Sequence, residues 1–390
     1  VAQTLIRAPE STQNIPSSRR VRDVANRIEY LDPDVAPLTL ILQKARSKAA
    51  SSDKFEWPEK DLPARWDQVN NGAGYNSAAT TVAVDNAAYF SIGDIVNVPR
   101  TSEKMRVTAV TVGTSIDVVR GVGSTAAAAL LDNDDLQIIG NAYTEGSLSG
   151  AEKSHIETYV YNYTQIVRTP FGVTGTEMVT ENYIGPDRPR LRAEKNIEHR
   201  IDLERTALFG ERNIDTASTS NPRRYTGGVF YFLTGATNTT DMSGVMTDPE
   251  VETFLQNVFA HTGSSNSRLF LASPLLITVM DQIAMGRLNV MQGESTYGLG
   301  IKQWVTGHGT LNIVKHRLLE NGPGGTGYAG YGLALDVNKL MFRYLPGRNT
   351  KLYTDIQAND LDGVKDEYLT EGGWQVANPL LHGIVKGVTG

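Results

Sequence analysis

Cysteine is absent from all 390 residues, which removes disulfide scaffolds, Cys-ligated zinc, iron–sulfur clusters and thiol nucleophiles at once. Long apolar runs are missing too. The longest stretch, Leu269 to Met280, is broken by Ser273, Pro274 and Thr278 and is too short to span a bilayer. The opening residues lack the apolar core of a signal peptide, so neither a membrane nor a targeting segment is expected. There is no basic surplus: 37 Lys and Arg face 43 Asp and Glu, a net charge of −6. A protein that grips DNA through its phosphates needs the opposite balance.

Patterns that carry chemistry are also scarce. His155, His199, His261, His308, His316 and His382 never fall at metal-ligand spacing on a helix. His308 and His316 share a strand face at most, and surface or core roles fit them better. Gly146-Ser147-Leu148-Ser149-Gly150 places Leu148 where a nucleophile elbow needs serine. The glycine-rich run Gly322 to Gly332 lacks the Lys-Ser/Thr of a phosphate loop and reads as a flexible surface loop. In Asp360-Leu361-Asp362-Gly363 two acids precede glycine, but Ala358 and Leu369 occupy positions where a calcium loop needs ligands. A tight turn between strands is the better reading. The cluster Asp132 to Asp135 has Gln137 where that loop needs glycine, leaving a weak surface cation site at most. No catalytic residue, cofactor or metal ligand is expected; a β-rich hydrolase using an acidic pair is the alternative from the enzyme class.

What the chain does contain is an ordinary globular composition, 40% apolar and 21% charged. Its first thirty residues set Arg7, Arg19, Arg20, Arg22 and Arg27 among polar neighbours, offset by Glu10, Asp23 and Glu29, and read as an extended or disordered arm. A short helix is expected from Pro37, with Leu38, Ile41 and Leu42 inward. Two strands with aromatics at period two follow, far apart in sequence. Phe55 and Trp57 share a face in the first, which Pro58 and Pro63 mark as an edge or as interrupted. Tyr159, Tyr161 and Tyr163 alternate with Val160, Asn162 and Thr164 in the second. Between them, residues 74–147 turn to short Val-, Ile- and Thr-rich runs, expected to form a small antiparallel barrel or sandwich inserted at a hairpin tip.

One long helix is expected from Asp187 to Phe209, capped by Asp187, with Pro189 in its first turn and Gly210 ending it. Leu191, Ile197, Ile201 and Leu208 make a narrow apolar stripe, flanked by the i,i+4 pairs Arg190–Glu194 and Arg200–Glu204. Beyond Arg224, helices at Pro249 to His261 and Pro274 to Ile283 alternate with strands, and Lys351 to Lys386 returns as strands. The fold class is α+β.

The order of these parts resembles the tailed-bacteriophage major capsid proteins of the Hong Kong 97-like fold, in the subfamily with a β-domain inserted in its extended loop. Asp32-Pro33-Asp34 to Pro37-Leu38-Thr39 resembles the start of that subfamily's first helix, and Phe55-Glu56-Trp57 the strand entering the loop. Ala79 to Gly121, with Phe90, Gly93-Asp94, Val107, Val110 and Arg120, resembles the inserted domain. Ile201 to Glu204 and Leu208-Phe209-Gly210 resemble the end of the spine helix; Asp366 to Thr370, Val376-Ala377-Asn378 and His382-Gly383 resemble the close of the peripheral domain. Gly372, Gly373 and Trp374 depart from the pattern by interrupting a closing strand.

The resemblance implies an N-terminal arm and short helix (1–50), an extended-loop hairpin (51–73 and 148–185) and the inserted β-domain (74–147). A spine helix with peripheral domain (186–244), an axial domain (245–338) and return strands of the peripheral domain (339–390) would follow. It implies self-assembly as hexamers and pentamers into the icosahedral head of a virion, built in the host cytoplasm and enclosing double-stranded DNA without specific binding. Scaffolding, portal and decoration proteins would be further partners. Phe55, Trp57, Arg190 and Arg200 are the candidate intersubunit contacts. A tail-tube or fibre protein is the alternative within the structural class.

Overall fold

The computed structural model describes residues 36–390, apart from 112, 149, 151, 155, 182–184, 218–220, 235–237, 262–264, 285–289, 293–301, 326 and 390. The arm expected over the first thirty residues lies outside the described residues. The chain divides into two compact units, residues 58–159 and the remainder. Residues 58–159 hold seven basic and thirteen acidic side chains, leaving thirty of each elsewhere, so the whole net charge of −6 resides in this unit.

The unit of residues 58–159 is an antiparallel sheet of six strands in the spatial order Trp66–Gln68, Asp135–Asn141, Asp94–Val98, Glu103–Thr111, Ser115–Val119, Thr81–Ala83. Its first and last strands also meet, because Val69 bridges Val84 and the Asn70 N–H donates to the Ala83 carbonyl at 3.0 Å. The sheet therefore closes, and of the two expectations, barrel and sandwich, it is the barrel that forms. Alternation along each strand sends Val96, Val98, Met105, Val107, Ile116, Val118, Leu136 and Ile138 inward. Trp66–Gln68 belongs to this sheet although it precedes residue 74, where the composition changes; the unit is thus wider at both ends than 74–147. Three residues of strand next to prolines leave too little periodicity to be seen in sequence.

In the other unit, a seven-stranded mixed sheet runs Thr239–Gly244, Gly383–Val388, Gly332–Leu335, Ser267–Ala272, Thr310–Lys315, Lys302–Val305, Val290–Gln292. Both of its faces are covered. Leu269, Leu271, Leu333 and Leu335 turn to one cluster, built with the helix Pro37–Ala45, the end of the long helix Asp187–Phe209 and the short helix Val229–Leu233. Phe270, Ala272 and Ala334 turn to the other, built with Asp248–Phe259 and Pro274–Ala284. Burial on both sides explains why Arg268 to Ala272 reads as a nearly unbroken apolar run.

A second sheet of this unit is organised by the strand Gly363–Val376, which pairs antiparallel with Gln165–Thr174 on one edge and with Leu340–Tyr344 and Lys351–Tyr353 on the other; Ser47–Ala49 extends it in parallel. Gly372 and Gly373 do not interrupt this strand, contrary to expectation. A Cβ on Gly372 would stand 2.6 Å from the Phe342 ring, and one on Gly373 2.9 Å from the Phe55 ring. The glycines let two aromatic rings close on a continuous strand.

The aromatic strand expected around Tyr159 to Thr164 ends at Tyr163, and a second strand starts at Gln165. Thr158–Tyr163 pairs with Lys54–Glu59 in a ribbon, while Gln165–Thr174 joins the sheet just described.

Candidate functional site

The long helix Asp187–Phe209 carries two of the four contact candidates, Arg190 and Arg200, and two of its five buried side chains are polar. His199, Leu203, Glu204, Ala207 and Leu208 are buried, whereas Leu191, Ile197 and Ile201 are only half-buried. The expected stripe is therefore rotated toward a seam of hydrogen bonds. His199 sits between two hydroxyls, Thr169 Oγ1 at 2.9 Å from Nδ1 and Thr370 Oγ1 at 2.7 Å from Nε2, and burial pushes its pKa down. Asp366 receives Arg188 Nη2 at 2.7 Å and Arg192 Nη2 at 2.9 Å. The Arg188 hydrogen bond, aided by the Asp355 N–H and Arg192, outweighs burial and holds the Asp366 carboxyl down to about 2.

Glu204 makes a different contact from the expected pair with Arg200. Its Oε1 and Oε2 accept the N–H groups of Leu38 at 2.9 Å and Thr39 at 2.6 Å, and His316 Nε2 lies 2.7 Å from Oε1. The helix Pro37–Ala45 has no side-chain cap of its own, since Ala36 precedes it. Its first N–H groups, which have no partner within the helix, and its positive dipole end are satisfied by a carboxylate from 165 positions along the chain. The absent cap is the one sequence signal that would have pointed to a distant acid.

Asp187 does not cap the long helix either. Pro186 occupies the N-cap, and Asp187 Oδ1 takes Arg190 Nη2 at 2.6 Å. Arg190 Nη1 also reaches Glu194 Oε1 at 2.9 Å, as its spacing predicts. Arg200 is half-buried, and its Nε has no hydrogen-bond partner among the described residues.

Phe55 and Trp57 are placed inside the chain's own core, 7% and 4% exposed. Their rings stack at 6.1 Å, Trp57 meets Phe232 edge-on at 5.7 Å, and Val160, Leu345 and Ala377 complete the cluster. Beside them, buried Asn162 donates from Nδ2 to Thr226 Oγ1, the Gly227 carbonyl and the Trp374 carbonyl, and accepts the Gly227 and Tyr163 N–H groups. The tyrosines face outward: Tyr159 is exposed, and Tyr161 is covered by Arg212 at 4.0 Å and Lys54 at 4.3 Å from its ring centre. The alternation in Tyr159 to Thr164 thus has its polar side buried, the reverse of the usual strand.

In the barrel, Glu103 is fully buried and takes Arg120 Nε at 2.7 Å and Nη2 at 2.8 Å, with the Gly121 and Ala128 N–H groups on its remaining lone pairs. Burial alone would raise its pKa; Arg120 and the two backbone donors outweigh it, and the net shift is downward. Asp134, of the acidic cluster, is held by Arg100 and the Leu131 N–H, and Asp132 by the Asn71 N–H. Among the described residues no three His, Asp or Glu side chains stand where they could hold a metal ion, and no helix is long and apolar enough to cross a membrane.

These charged side chains are engaged in holding the fold together. The family model of the SU10 major capsid protein matches residues 8–389. The major capsid protein of Pseudomonas phage PaMx41 is 26% identical over 287 residues, covering 70% of this chain and 67% of that protein. Solved structures from Microbacterium phage Oxtober96 (10% identity, 95% and 97% of the two chains, TM-score 0.49) and Mycobacterium phage Adephagia (9%, 98% and 99%, TM-score 0.48) are similar in outline. Taken over almost its whole length, the chain belongs to the SU10 major capsid protein family, the structural subunits of a phage virion's capsid shell.

Proposed function

We propose that the chain acts without catalysis, closing as hexamers and pentamers into an icosahedral head that encloses double-stranded DNA without specific contacts. The observation that carries this reading is the family match over residues 8–389, nearly the whole chain. The charge balance supports it, since residues outside 58–159 are neutral overall and offer no surplus of cations to a polyphosphate. The domain arrangement this reading uses is the sequence division with two changes: the inserted β unit widened to 58–159, and the strands Thr239–Gly244 and Gly383–Val388 counted with the sheet of residues 245–338. Scaffolding, portal and decoration proteins are partners of the same assembly.

Of the four contact candidates, Arg190 and Arg200 lie on half-exposed flanks of the long helix and are the ones a neighbouring copy would meet. Phe55 and Trp57 would act on assembly only through the shape of the strand that they anchor. Repeated many times in a closed shell, interfaces of modest strength suffice. Negative-stain electron microscopy of the purified chain tests the reading: closed particles are expected, and tubes or open rings would replace it with the tail-tube alternative.

A further inference from the structure

The glycine-rich loop Gly322 to Gly332 is not the free surface loop that its composition suggests. The Tyr328 N–H donates to the Glu320 carbonyl at 3.1 Å, the Ala329 N–H to Asn321 Oδ1 at 3.2 Å, and Ser273 Oγ holds the Ala329 carbonyl. These bonds lay Tyr328 and Tyr331 against the end of the long helix. Phe209 and Phe230 stack at 5.4 Å with their planes 8° apart; Tyr328 lies 4.6 Å from the first and 5.3 Å from the second, and Tyr331 meets Tyr328 edge-on at 5.0 Å. The rings, with Tyr231, line an open cavity of about 680 Å³. Two charged groups stand on its wall. Lys386 is neutralised by Asp241 at 3.3 Å, whereas exposed Glu211 makes no ion pair among the described residues. Aromatic faces with one uncompensated carboxylate suit a guanidinium on an apolar stem.

Leu38, two residues after the first described one, belongs to the apolar cluster that Phe209, Phe230 and Tyr331 pack against. Leu38 is bonded to Glu204, Glu204 to His316, and the His316 N–H to the Ala272 carbonyl at 2.8 Å; the next residue, Ser273, donates its N–H to the Tyr331 carbonyl at 3.2 Å. Thirty-five residues precede Ala36, and they contain the cationic run Arg19, Arg20, Val21, Arg22 and, five positions on, Arg27. From Ala36 back to Arg27 the chain can reach about 30 Å when extended. So short a tether gives a segment of the same chain a high effective concentration at the groove. We propose that this aromatic groove is a docking site for arginines of residues 19–27 of the same chain, with Glu211 as their counter-charge.

The test uses the full, unassembled chain at low concentration and needs no shell, so its result is independent of the capsid reading. With Tyr328→benzoylphenylalanine, irradiation should join position 328 to peptides from residues 19–27. The reaction is run with an equal amount of isotope-labelled, unmodified chain. A cross-link to the labelled peptide would assign the groove to a neighbour's segment and overturn the same-chain assignment; cross-links elsewhere, or none, would overturn the site itself. Glu211 is exposed, so Glu211→Gln leaves the thermal melt unchanged. It should nevertheless speed tryptic cleavage after Arg19, Arg20, Arg22 and Arg27 by about tenfold, the loss expected for one charge-assisted contact. An unchanged cleavage rate would count against the proposal.

Discussion

At the scale of single residues, the fold depends on buried polar groups whose partners are far away in sequence. Glu204 answers two N–H groups and His316 from a fully buried position, so Glu204→Ala leaves donors unsatisfied at a helix end and should cost on the order of 3 kcal/mol. Glu204→Gln keeps one acceptor oxygen and should cost less. Urea unfolding of the two variants checks the order; equal, negligible losses would mean that another group satisfies the helix end. Acid acts on the same class of residue. Burial holds His382 neutral and pushes its pKa down to about 4 from 6.5, while its Nδ1 accepts the Asp336 N–H. Between those values the unfolded chain binds more protons than the native one, so stability rises with pH across the window and is lost on acidification from 6.5 towards 4. His199, also pushed down by burial, adds to this limb. Asp366, held at about 2 against 3.8, extends the loss below it, again because the unfolded form takes up protons first. Urea midpoints at a series of pH values should show both limbs, and His382→Gln should flatten the upper one whatever its effect at neutral pH.

At the scale of elements, positions of helices and strands were largely legible, and the sides they bury were not. Pro37, Pro249 and Pro274 mark helix starts because proline suits the first turn, and the short apolar runs after residue 266 are strands as read. The faces failed where polar residues point inward. Asn162 looks like the solvent slot of an alternating strand, yet it ties three segments together through Thr226, Gly227 and Trp374. His199 and Glu204 interrupt the apolar stripe of the long helix for the same reason: their partners, Thr370 and His316, lie more than a hundred positions away, beyond any local pattern. Pro58 correctly marks an edge strand, since Lys54–Glu59 pairs on one side only, but edge position does not reveal that the rings of Phe55 and Trp57 are covered by Phe232, Leu345 and Ala377. These placements decide what substitutions do. Trp57→Ala should cost the subunit itself about 3–5 kcal/mol, because it empties a packed site. A thermal melt unchanged by that substitution would return Trp57 to the role of an intersubunit anchor. Ile201→Asp, on a half-buried flank, should be milder than Leu208→Asp in the core, where an unpaired charge has no solvent. Equal loss of soluble protein from both would refute the rotated face.

At the scale of the whole molecule, residues 58–159 have what an independent folding unit requires. The barrel closes through the Val69–Val84 bridge, so it leaves no long unpaired edge. Its core is made from its own side chains, Val69 through Ile138, and its one fully buried carboxylate, Glu103, is satisfied by Arg120 and two backbone N–H groups from the same unit. Arg120 also donates to the carbonyls of Asn76, Ala79 and Ala128, which fastens the segments that lead into the strands Thr81–Ala83 and Asp135–Asn141. Two of the barrel's pairings are tight hairpins, Asp94–Val98 with Glu103–Thr111 and Glu103–Thr111 with Ser115–Val119, the second reversing at Gly113 with positive φ; the others join strands more than thirty residues apart. Composition hinted at this much through its change to Val- and Thr-rich runs, although the closing strand Trp66–Gln68 was too short to read. Expressed alone, residues 58–159 should therefore give dispersed amide resonances and a cooperative thermal melt. Glu103→Gln in the fragment should lower that melt, because it leaves the Arg120 guanidinium buried without a counter-charge; the expected cost is on the order of 3 kcal/mol. The same substitution in the full chain should lower only the transition that belongs to this unit, leaving the melt of the remaining residues in place. A fragment spectrum typical of an unfolded chain would show that the barrel needs the rest of the protein to form.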